Sequence, residues 1–199
     1  MPAPDWMSGH ASDVAPRLLG ATITSRIGGQ TVSVRLTEVE AYGGQAEDPG
    51  SHAYRRRTPR NATMFGPPGR AYVYFTYGMH WCLNVVVQPA GTAGAVLLRA
   101  GEVVEGLALA RTRRPSARAD RDLARGPARL TMALGVTGEQ DGADLLAARS
   151  RLRITLPAAP APDYSVSART GVGGEGAPTP WRFYLGGEPT VSPYRRAAR

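Results

Sequence analysis

Apolar and polar residues alternate along two early stretches of the chain, and this period of two predicts a pair of adjacent β-strands. The strands are expected at 21–26 and 31–41, with a turn at the Gly-Gly pair 28–29, and the preceding segment APRLLG is expected to end a helix. The stretch 43–69 is rich in Gly, Pro, Asp and Arg and has little periodicity. We interpret it as one long loop, and loops of that length inside a compact domain are commonly functional.

A second apolar stretch, YVYFTYGMHWCLNVVV, predicts a hairpin over 72–87 with Tyr77 and Gly78 at its turn. A structural tyrosine normally packs within a strand, where its ring is buried and its hydroxyl finds a partner. A tyrosine at a hairpin turn is exposed instead. We therefore expect the Tyr77 ring to contact another molecule.

The remaining pattern mixes strands and helices. AVLLRA predicts a strand at 95–100, and GEVVEGLALARTRR predicts a helix at 101–114, because its apolar residues have helical spacing and its acidic start and basic end suit the helix dipole. Further along we expect one or two short helices over 117–136, broken at Gly126-Pro127, a strand at 151–157, a Pro- and Gly-rich loop at 158–180, and a strand at 181–187. Mixed order without a repeated βαβ unit predicts an α+β fold around a mainly antiparallel sheet.

Length and composition fit one globular domain over 1–199, since the chain has 199 residues of which 42% are hydrophobic. Its first dozen or so residues and its last few are expected to be flexible. No stretch approaches the roughly 18 consecutive apolar residues of a membrane span, and the N-terminal MPAPDWMSGH lacks the basic and apolar parts of a signal peptide. We expect an intracellular, cytoplasmic protein that does not bind membranes.

The charge of the chain narrows the classes of partner. A net charge of +8 and a pI near 10.3 are typical of proteins that bind a polyanion, with nucleic acid the first candidate. A basic protein without such a partner is the alternative. All 24 basic residues are arginine, so Schiff-base chemistry would need the N-terminal amine, which is that of Pro2 if Met1 is removed.

Metal and cofactor chemistry is not indicated. Cys82 is the single cysteine, and the three histidines, His10, His52 and His80, are scattered. This excludes an internal disulfide and offers no metal-ligand spacing. We expect no metal and no cofactor.

Candidate chemistry lies at the end of the second strand, in TEVEAYGG. Glu38, Glu40 and Tyr42 should share one face there, because side chains of a strand alternate. Taken alone, the pattern fits an exposed acid on an edge strand with Tyr42 in the core. The segments that follow add His52, a cluster of arginines, and an aromatic set at Tyr72, Tyr74 and Tyr77. A carboxylate, aromatic rings and arginines are the groups needed to stack a base, act on it, and hold phosphates.

At these residues the sequence resembles the alkyladenine, or 3-methyladenine, DNA glycosylases, the family that includes the mammalian enzyme. The matching segments follow the family order and cover nearly the whole chain: LLG at 18–20, TEVEAYGG at 37–44, SHAYRRRTPRNATMFGPPGRAYVYFTYGMHWCLNVV at 51–86, AVLLRAGEVVEG at 95–106, ARGPARLTMALGV at 124–136 and ARTGVGGEGAPTPWRFYL at 168–185. The resemblance implies a curved sheet with surrounding helices and a protruding hairpin that inserts into DNA. It also implies a monofunctional hydrolase of base excision repair that acts as a monomer on duplex DNA. Its substrates would be 3-methyladenine and other alkylpurines, with hypoxanthine and ethenoadenine as further candidates.

The resemblance also implies a role for each matching residue. Glu40 would be the general base that activates water, with Glu38 the non-catalytic member of the pair, Arg99 would help to hold the water and a phosphate, and Thr170, where the family has valine, would offer a backbone carbonyl. The base pocket would be formed by Tyr42, His52, Tyr74 and Asn84. Tyr77 would enter the minor groove and fill the gap left by the flipped base. Beside it, we interpret four arginines as phosphate contacts: Arg55, Arg56, Arg57 and Arg60.

Chemistry supports this assignment without a cofactor. An N3- or N7-alkylated purine is cationic, so its glycosidic bond is weak and aromatic faces attract it. A carboxylate beneath the sugar would stabilise positive charge at C1′ and deprotonate water.

Some features depart from the family or stay open. Gly176 stands where much of the family has tryptophan, which we expect to loosen the C-terminal loop, and Arg129 replaces a usual lysine. The run 111–118 is interpreted as a solvated helix end and linker. A catalytically silent module that binds damaged DNA is the alternative function, and a lyase acting through Pro2 is a third.

Overall fold

The structure, a computed structural model, describes residues 3–161 and 163–197. Strand β2, Val32–Tyr42, organises its sheet by pairing with three other strands. The other strands are β1 Thr22–Ser25, β3 Ala71–Thr76, β4 His80–Val86, β5 Ala95–Glu105, β6 Leu152–Thr155, β7 Ser165–Ser167 and β8 Arg182–Tyr184.

The eight strands form one curled sheet with the order β3-β4-β5-β2-β1-β6. Strand β8 pairs with the second half of β2 and with β7, and every strand pair is antiparallel. Few helices accompany the sheet: α1 Ala11–Val14, α2 Leu107–Arg113 and α3 Pro127–Leu134, with short 3-10 turns. The predicted α+β fold around an antiparallel sheet is confirmed.

A bulge in β2 decides which side chains of that strand enter the core. Leu36 pairs with Gly101 and Glu38 with Ala100, so Thr37 is the extra residue on β2. Before the bulge Val32, Val34 and Leu36 are in the core, and after it Val39 and Ala41 are. The change from even to odd positions turns Glu38, Glu40 and Tyr42 to the opposite face of the sheet.

The main core lies on one face of the sheet beneath α3 and the N-terminal segment. Met7, Ala11 and Leu18 are fully buried in it, together with Leu130 and Leu134 of α3. The first dozen residues were expected to be flexible, but from Asp5 onward they form helical turns that pack on this core. Their apolar residues, and not the sheet alone, close this side of the molecule.

The helix predicted over 101–114 is wrong in its first half. Strand β5 continues to Glu105, and α2 begins only at Leu107. Val103 pairs with Val34 across the sheet, and Glu102 forms an ion pair with Arg35. Gly106, at φ 74°, ends the strand where any Cβ would lie 2.1 Å from the Thr31 carbonyl oxygen.

The two predicted loops also contain structure. A 3-10 helix, Pro59–Phe65, interrupts the stretch 43–69, and strand β7 with a 3-10 turn at Gly174–Gly176 interrupts the stretch 158–180. In the first loop Met64 and Phe65 form a second small core with Tyr72 and Ala95. The loop is therefore packed on the face of the sheet that carries Glu40.

The arginine run 111–118 is partly tied into the fold and is not only a solvated linker. The Arg113 guanidinium donates to the carbonyls of Ala133 and Ile27, and Arg114 donates to Leu123. Arg111 and Asp120 form an exposed ion pair. These arginines hold the ends of α2 and α3 together.

Candidate active site

One row of paired residues crosses four strands and forms the floor of the site. Tyr72 on β3 pairs with Asn84 on β4, Asn84 with Leu97 on β5, and Leu97 with Glu40 on β2. Paired residues on neighbouring strands point to the same face. The register of the sheet therefore brings together residues that are far apart in the sequence.

Glu40 is fully buried and has three donors on its carboxylate. The Tyr42 hydroxyl donates to Oε2 at 2.9 Å and Arg99 Nη1 donates to the same oxygen at 3.1 Å. The Thr170 backbone N–H donates to Oε1 at 2.6 Å. The sequence analysis gave Thr170 a carbonyl role; the contact that the structure shows is made by its amide, and the carbonyl role stays a prediction.

Glu38 lies two residues before Glu40 and has a different environment. Its carboxylate accepts from Arg99 Nε and Arg182 Nε, both at 2.7 Å, and from the Ser192 N–H and hydroxyl at 2.6 and 2.9 Å. The Arg99 guanidinium thus bridges the two carboxylates. Glu38 is saturated with donors, which fits the expectation that it is the structural member of the pair.

These environments shift the pKa values of the two carboxyl groups in opposite directions. Burial raises the pKa of Glu40 above its ordinary value, although Arg99, the Thr170 N–H and the Tyr42 hydroxyl partly oppose the shift. Burial alone would also raise the pKa of Glu38, but Arg99 and Arg182 outweigh it and hold that pKa low. Burial and the neighbouring Glu40 raise the pKa of Tyr42 well above its usual range, so its hydroxyl remains a donor.

A cavity of about 360 Å³ opens above this floor. The four residues assigned to the base pocket, Tyr42, His52, Tyr74 and Asn84, all line it, and so do Arg99 and Thr170. Glu40 does not line the cavity, because its three partners cover its carboxylate. The structure thus brings the predicted pocket residues together. The Glu40 carboxylate lies behind them, in contact with residues that line the cavity.

His52 and Tyr74 form one aromatic wall of the cavity. Their ring centroids are 4.6 Å apart in an edge-to-face arrangement, and the Tyr72 hydroxyl lies 3.1 Å from His52 Nδ1. Partial burial of the ring, with a smaller contribution from Arg60, lowers the pKa of His52 and favours its neutral form. A neutral ring can stack on a cationic base without charge repulsion.

The loop that carries His52 is held by Asn61. The side-chain amide of Asn61 donates to the His52 and Arg56 carbonyls at 2.8 and 3.0 Å, and its Oδ1 accepts from the Thr58 N–H. Asn61 is 2% exposed, so these bonds are shielded from water. Sequence reasoning did not assign this residue, although the TPRN motif contains it.

Asn84 fills the place on β4 where an apolar residue would be expected. Its side-chain amide donates to the Tyr72 carbonyl at 2.9 Å. That bond to the neighbouring strand fixes the amide plane against the cavity. It also supplies the specific partner that a buried amide needs.

A buried ion pair that sequence reasoning missed holds the wall around Glu40. Arg169 forms two hydrogen bonds to Asp48, at 2.6 and 2.7 Å, and donates to the Ala41 carbonyl at 3.0 Å. Its guanidinium also lies over the Tyr42 ring, 4.7 Å from the centroid. Because Arg169 directly precedes Thr170, the pair fixes the amide that binds Glu40.

Gly176 belongs to the same wall, and the expectation that it loosens the loop is wrong. A Cβ at this position would lie 2.8 Å from the Gly50 nitrogen, so the two backbones are in direct contact. The Gly176 carbonyl also accepts from Arg169 at 3.4 Å. No side chain fits there, and the absence of one tightens the packing. The other departure, Arg129, is an exposed residue of α3 away from the cavity lining.

Tyr77 lies at the tip of the β3–β4 pair and also borders the cavity. Its side chain is 83% exposed, and it has a positive φ of 51°, followed by Gly78 at 66°. Positive φ at both central residues is typical of a type I′ turn. Phe75 and Met79 flank it as further exposed apolar side chains.

The four arginines proposed as phosphate contacts are exposed on the loop beside the cavity. Arg60 donates to the Phe75 carbonyl at 2.9 Å, and Arg57 lies 5.6 Å from the Phe65 ring centroid. These contacts hold the loop against β3 and the small core. Arg55 and Arg56 extend the same positive surface.

Within residues 3–161 and 163–197 no cluster of three or more His, Cys, Asp or Glu side chains could hold a metal ion. No helix in that part of the chain is long and apolar enough to cross a membrane.

Comparison with known proteins agrees with the site. Residues 5–189 match the model of a family described as methylpurine-DNA glycosylase. Proteins from Leifsonia xyli, Streptomyces avermitilis and Burkholderia lata, each named as a candidate 3-methyladenine DNA glycosylase, are 55%, 55% and 48% identical to the chain. The alignments cover 98%, 92% and 96% of this chain and 93%, 86% and 95% of the relatives.

A basic protein with a buried carboxylate behind an aromatic cavity thus falls in the class of hydrolases that cleave N-glycosyl bonds in DNA. Within that class, the chain belongs to the methylpurine-DNA glycosylase family.

Proposed function

We propose that this protein is a monofunctional DNA glycosylase that flips 3-methyladenine and related alkylated purines out of duplex DNA and hydrolyses their N-glycosidic bond. The observation that carries the proposal is the Glu40 carboxylate, held by Arg99, Tyr42 and Thr170 directly behind the aromatic cavity. Hypoxanthine and ethenoadenine are neutral, so their release would depend on hydrogen bonds from the pocket. These two bases therefore test the substrate range of the protein.

The cavity suits a cationic base. Tyr42, His52 and Tyr74 line it and offer aromatic rings, which attract positive charge. The lowered pKa of His52 favours the uncharged form of that ring. Asn84 would test the edge of the base, and the hydrogen bond from its amide to the Tyr72 carbonyl supports this role.

Bond cleavage uses water and one carboxylate. The C1′–N bond breaks with its electron pair moving to the base, which neutralises the cationic ring. The water oxygen bonds to C1′, and Glu40 takes the proton that the water loses. A carboxylate at this place also stabilises the positive charge that develops on the sugar.

Glu40 must gain access to the cavity for this step. The segment after Thr170 borders the cavity and contains three glycines, of which Gly171 and Gly174 have φ of 76° and 62° and Gly173 lies between them. Catalytic contacts commonly form only once substrate is bound. We propose that binding of the flipped nucleotide shifts this segment and exposes Glu40.

The DNA contacts follow from the surface. Tyr77 would replace the flipped base in the stack, and the arginines from Arg55 to Arg60 would hold the phosphates of a duplex bound by one protein molecule. A chain without lysine has no side-chain amine for strand cleavage through a Schiff base. Pro2, the remaining candidate for a lyase, lies outside the described residues.

A catalytically silent module that binds damaged DNA is the second candidate. The complete burial of Glu40 favours it, because a carboxylate without exposed surface could be structural only. The aromatic cavity would then recognise the base without cleaving its bond.

The test is base release under single turnover from a duplex with one 3-methyladenine or ethenoadenine, in EDTA, by wild type and Glu40→Gln. We expect Glu40→Gln to slow release by about 10²–10⁴-fold, the usual contribution of a general base, while lesion binding stays near that of wild type. The strand should remain intact until alkali is added.

Four outcomes would contradict the proposal. Release by Glu40→Gln at the wild-type rate would exclude Glu40 as the base, and equal losses of binding and release would make it structural. Binding without release by wild type would support the silent module. A covalent adduct trapped by borohydride would support a lyase.

A further inference from the structure

The C-terminal tail, residues 186–197, runs past β8 and behind the candidate active site. It extends beyond residue 189, where the family match ends. Thr190 and Ser192 are 3% and 7% exposed. The Thr190 and Thr37 hydroxyls are hydrogen-bonded at 2.8 Å, and Arg125 Nε donates to the Val191 carbonyl at 2.9 Å. This part of the tail is therefore a packed element.

Ser192 has four contacts with the charged network under the site. Its N–H and its hydroxyl both donate to Glu38, and its carbonyl accepts from Arg182 at 2.7 Å. Its hydroxyl oxygen also accepts from Arg99 Nη2 at 3.3 Å. The Ser192 hydroxyl thus links Arg99 and Glu38.

These contacts determine the direction of Nη1, the third donor nitrogen of the Arg99 guanidinium. A guanidinium is planar and its N–H groups have fixed directions. Nε is held by Glu38 and Nη2 by Ser192, so Nη1 is directed at Glu40 Oε2. Without the Ser192 hydroxyl, Arg99 would keep its hydrogen bonds to Glu38 and Glu40 and would lose the one made by Nη2.

The far end of the tail reaches the opposite side of Glu40. The Gly171 N–H donates to the Arg195 carbonyl at 2.9 Å. Gly171 directly follows Thr170, whose own N–H binds Glu40 Oε1. Two of the donors to Glu40 lie on elements other than β2: the Arg99 side chain on β5 and the Thr170 N–H in the turn 169–171. The tail supports both of them.

We propose that the tail sets the position and the protonation of Glu40, and that Ser192 is its main positioning residue. The inference rests on the proposed function, in which Glu40 must be ionised to accept a proton. A well-fixed Arg99 favours the ionised form of Glu40. A loosened Arg99 favours it less, so the buried carboxyl would hold its proton to a higher pH.

The experiment compares Ser192→Ala with wild type in single-turnover base release across pH. We expect release to slow by about tenfold, the usual effect of losing a hydrogen bond to a charged group. The acid limb of the pH profile should move to higher pH, and lesion binding should stay unchanged. Ser192→Thr keeps the hydroxyl and should restore both the rate and the profile.

Ser167→Ala is the matched control. The Ser167 hydroxyl accepts from Arg182 at 3.2 Å, so this variant removes a hydroxyl bonded to the same network but not to Arg99. Its pH profile should equal that of wild type. A wild-type profile for Ser192→Ala, or the same displacement in Ser167→Ala, would overturn the proposal.

A second variant covers the case in which Ser192→Ala does not fold. A chain that ends at Tyr194 keeps Ser192 and loses the Arg195 carbonyl that holds Gly171. Slower release with intact lesion binding is expected, and a wild-type rate would contradict the role of the tail. Absence of release by wild type itself would contradict the proposed function instead, which separates the two failures.

Discussion

Tyr77 has a backbone conformation that few residues with a large side chain adopt. A positive φ outside glycine costs on the order of 1 kcal/mol or more, and such strain clusters at functional sites. The exposed ring gains little from packing that could offset this cost. The simplest interpretation is that the residue is kept for what it contacts outside the protein.

Replacing Tyr77 by Asn separates the ring from the turn. Asparagine tolerates the left-handed region, so the hairpin should form and the melting temperature should equal or exceed that of wild type. Loss of base stacking should weaken binding to a lesion duplex by about ten- to a hundredfold, from about 1–3 kcal/mol per stacked base.

The measurement is lesion binding and thermal melting of Tyr77→Asn, with Tyr77→Ser as a second variant and Phe75→Ser as the neighbouring exposed control. Phe75 contacts Trp81 at a centroid distance of 4.7 Å, so its loss should cost stability rather than binding. A large fall in the melting temperature of Tyr77→Asn would contradict the wedge.

Glu38 and Glu40 illustrate how two identical side chains acquire different roles. Glu38 accepts from four donors and keeps a low pKa, whereas Glu40 is buried with fewer compensating donors and has a raised one. Environments that move the pKa values of two carboxyl groups apart are typical of acid–base sites. The protonated form is therefore more accessible to Glu40 than to Glu38.

At the scale of elements, the wall around Glu40 joins the segment 48–50 to the segment 169–176 by a backbone contact and an ion pair. Gly50 and Gly176 meet without side chains, and Asp48 joins Arg169 beside them. A buried pair of this kind is costly to break, by about 3–5 kcal/mol when one partner is removed. The wall is therefore held firmly at residues 48, 50, 169 and 176, and the glycine-containing segment that begins at Thr170 is the part proposed to shift.

Gly176→Ala tests that contact. The added methyl would overlap the Gly50 nitrogen, and overpacking of this kind costs about 1–3 kcal/mol. We expect a melting temperature lower by about 2–10 °C and slower base release. Gly173→Ala is the matched control for the melting temperature alone, because its Cβ would lie at an ordinary 3.4 Å from Ala197. An equal fall in melting temperature in the two variants would contradict the close contact between Gly176 and Gly50.

Local sequence patterns predicted most strands and the face that carries Glu40. They could not place the end of β5, because Val103 and Val104 fit a helix or a strand equally well and the choice is made by pairing with β2. The bulge at Thr37 did leave a signal, since apolar positions shift from even to odd after Leu36.

Other parts of the site depend on contacts between distant residues. Asp48 and Arg169 are 121 positions apart, and Ser192 is 154 positions from Glu38. No local pattern indicates which of many arginines or serines forms such a contact. The resemblance to a known family supplied the pocket residues but not the residues that hold them.

At the scale of the whole molecule, net charge should govern DNA affinity. The arginines at 55–57 lie on one exposed loop beside the cavity. Replacing all three by alanine should lower the slope of log K against log salt by about 2.7, which corresponds to three lost phosphate contacts. Arg118, Arg121 and Arg149 are exposed and do not line the cavity, so their triple alanine variant carries the same charge change as a control.

Duplex binding measured between low and moderate salt decides this prediction. Equal slopes for the two triple variants would mean that only total charge matters, and the loop would have no special contact with DNA. A smaller slope of log K against log salt for the loop variant alone would show that the arginines at 55–57 contact DNA phosphates.

The row that joins Tyr72, Asn84, Leu97 and Glu40 has a consequence for the evolution of the sequence. A slip of one residue between any two of these strands would send a pocket residue to the opposite face, so a chain with such a slip should lose activity. Selection for repair of DNA therefore also selects, at every generation, for sequences that pair their strands correctly. A library of variants sorted by base release alone would be sorted for accurate folding as well.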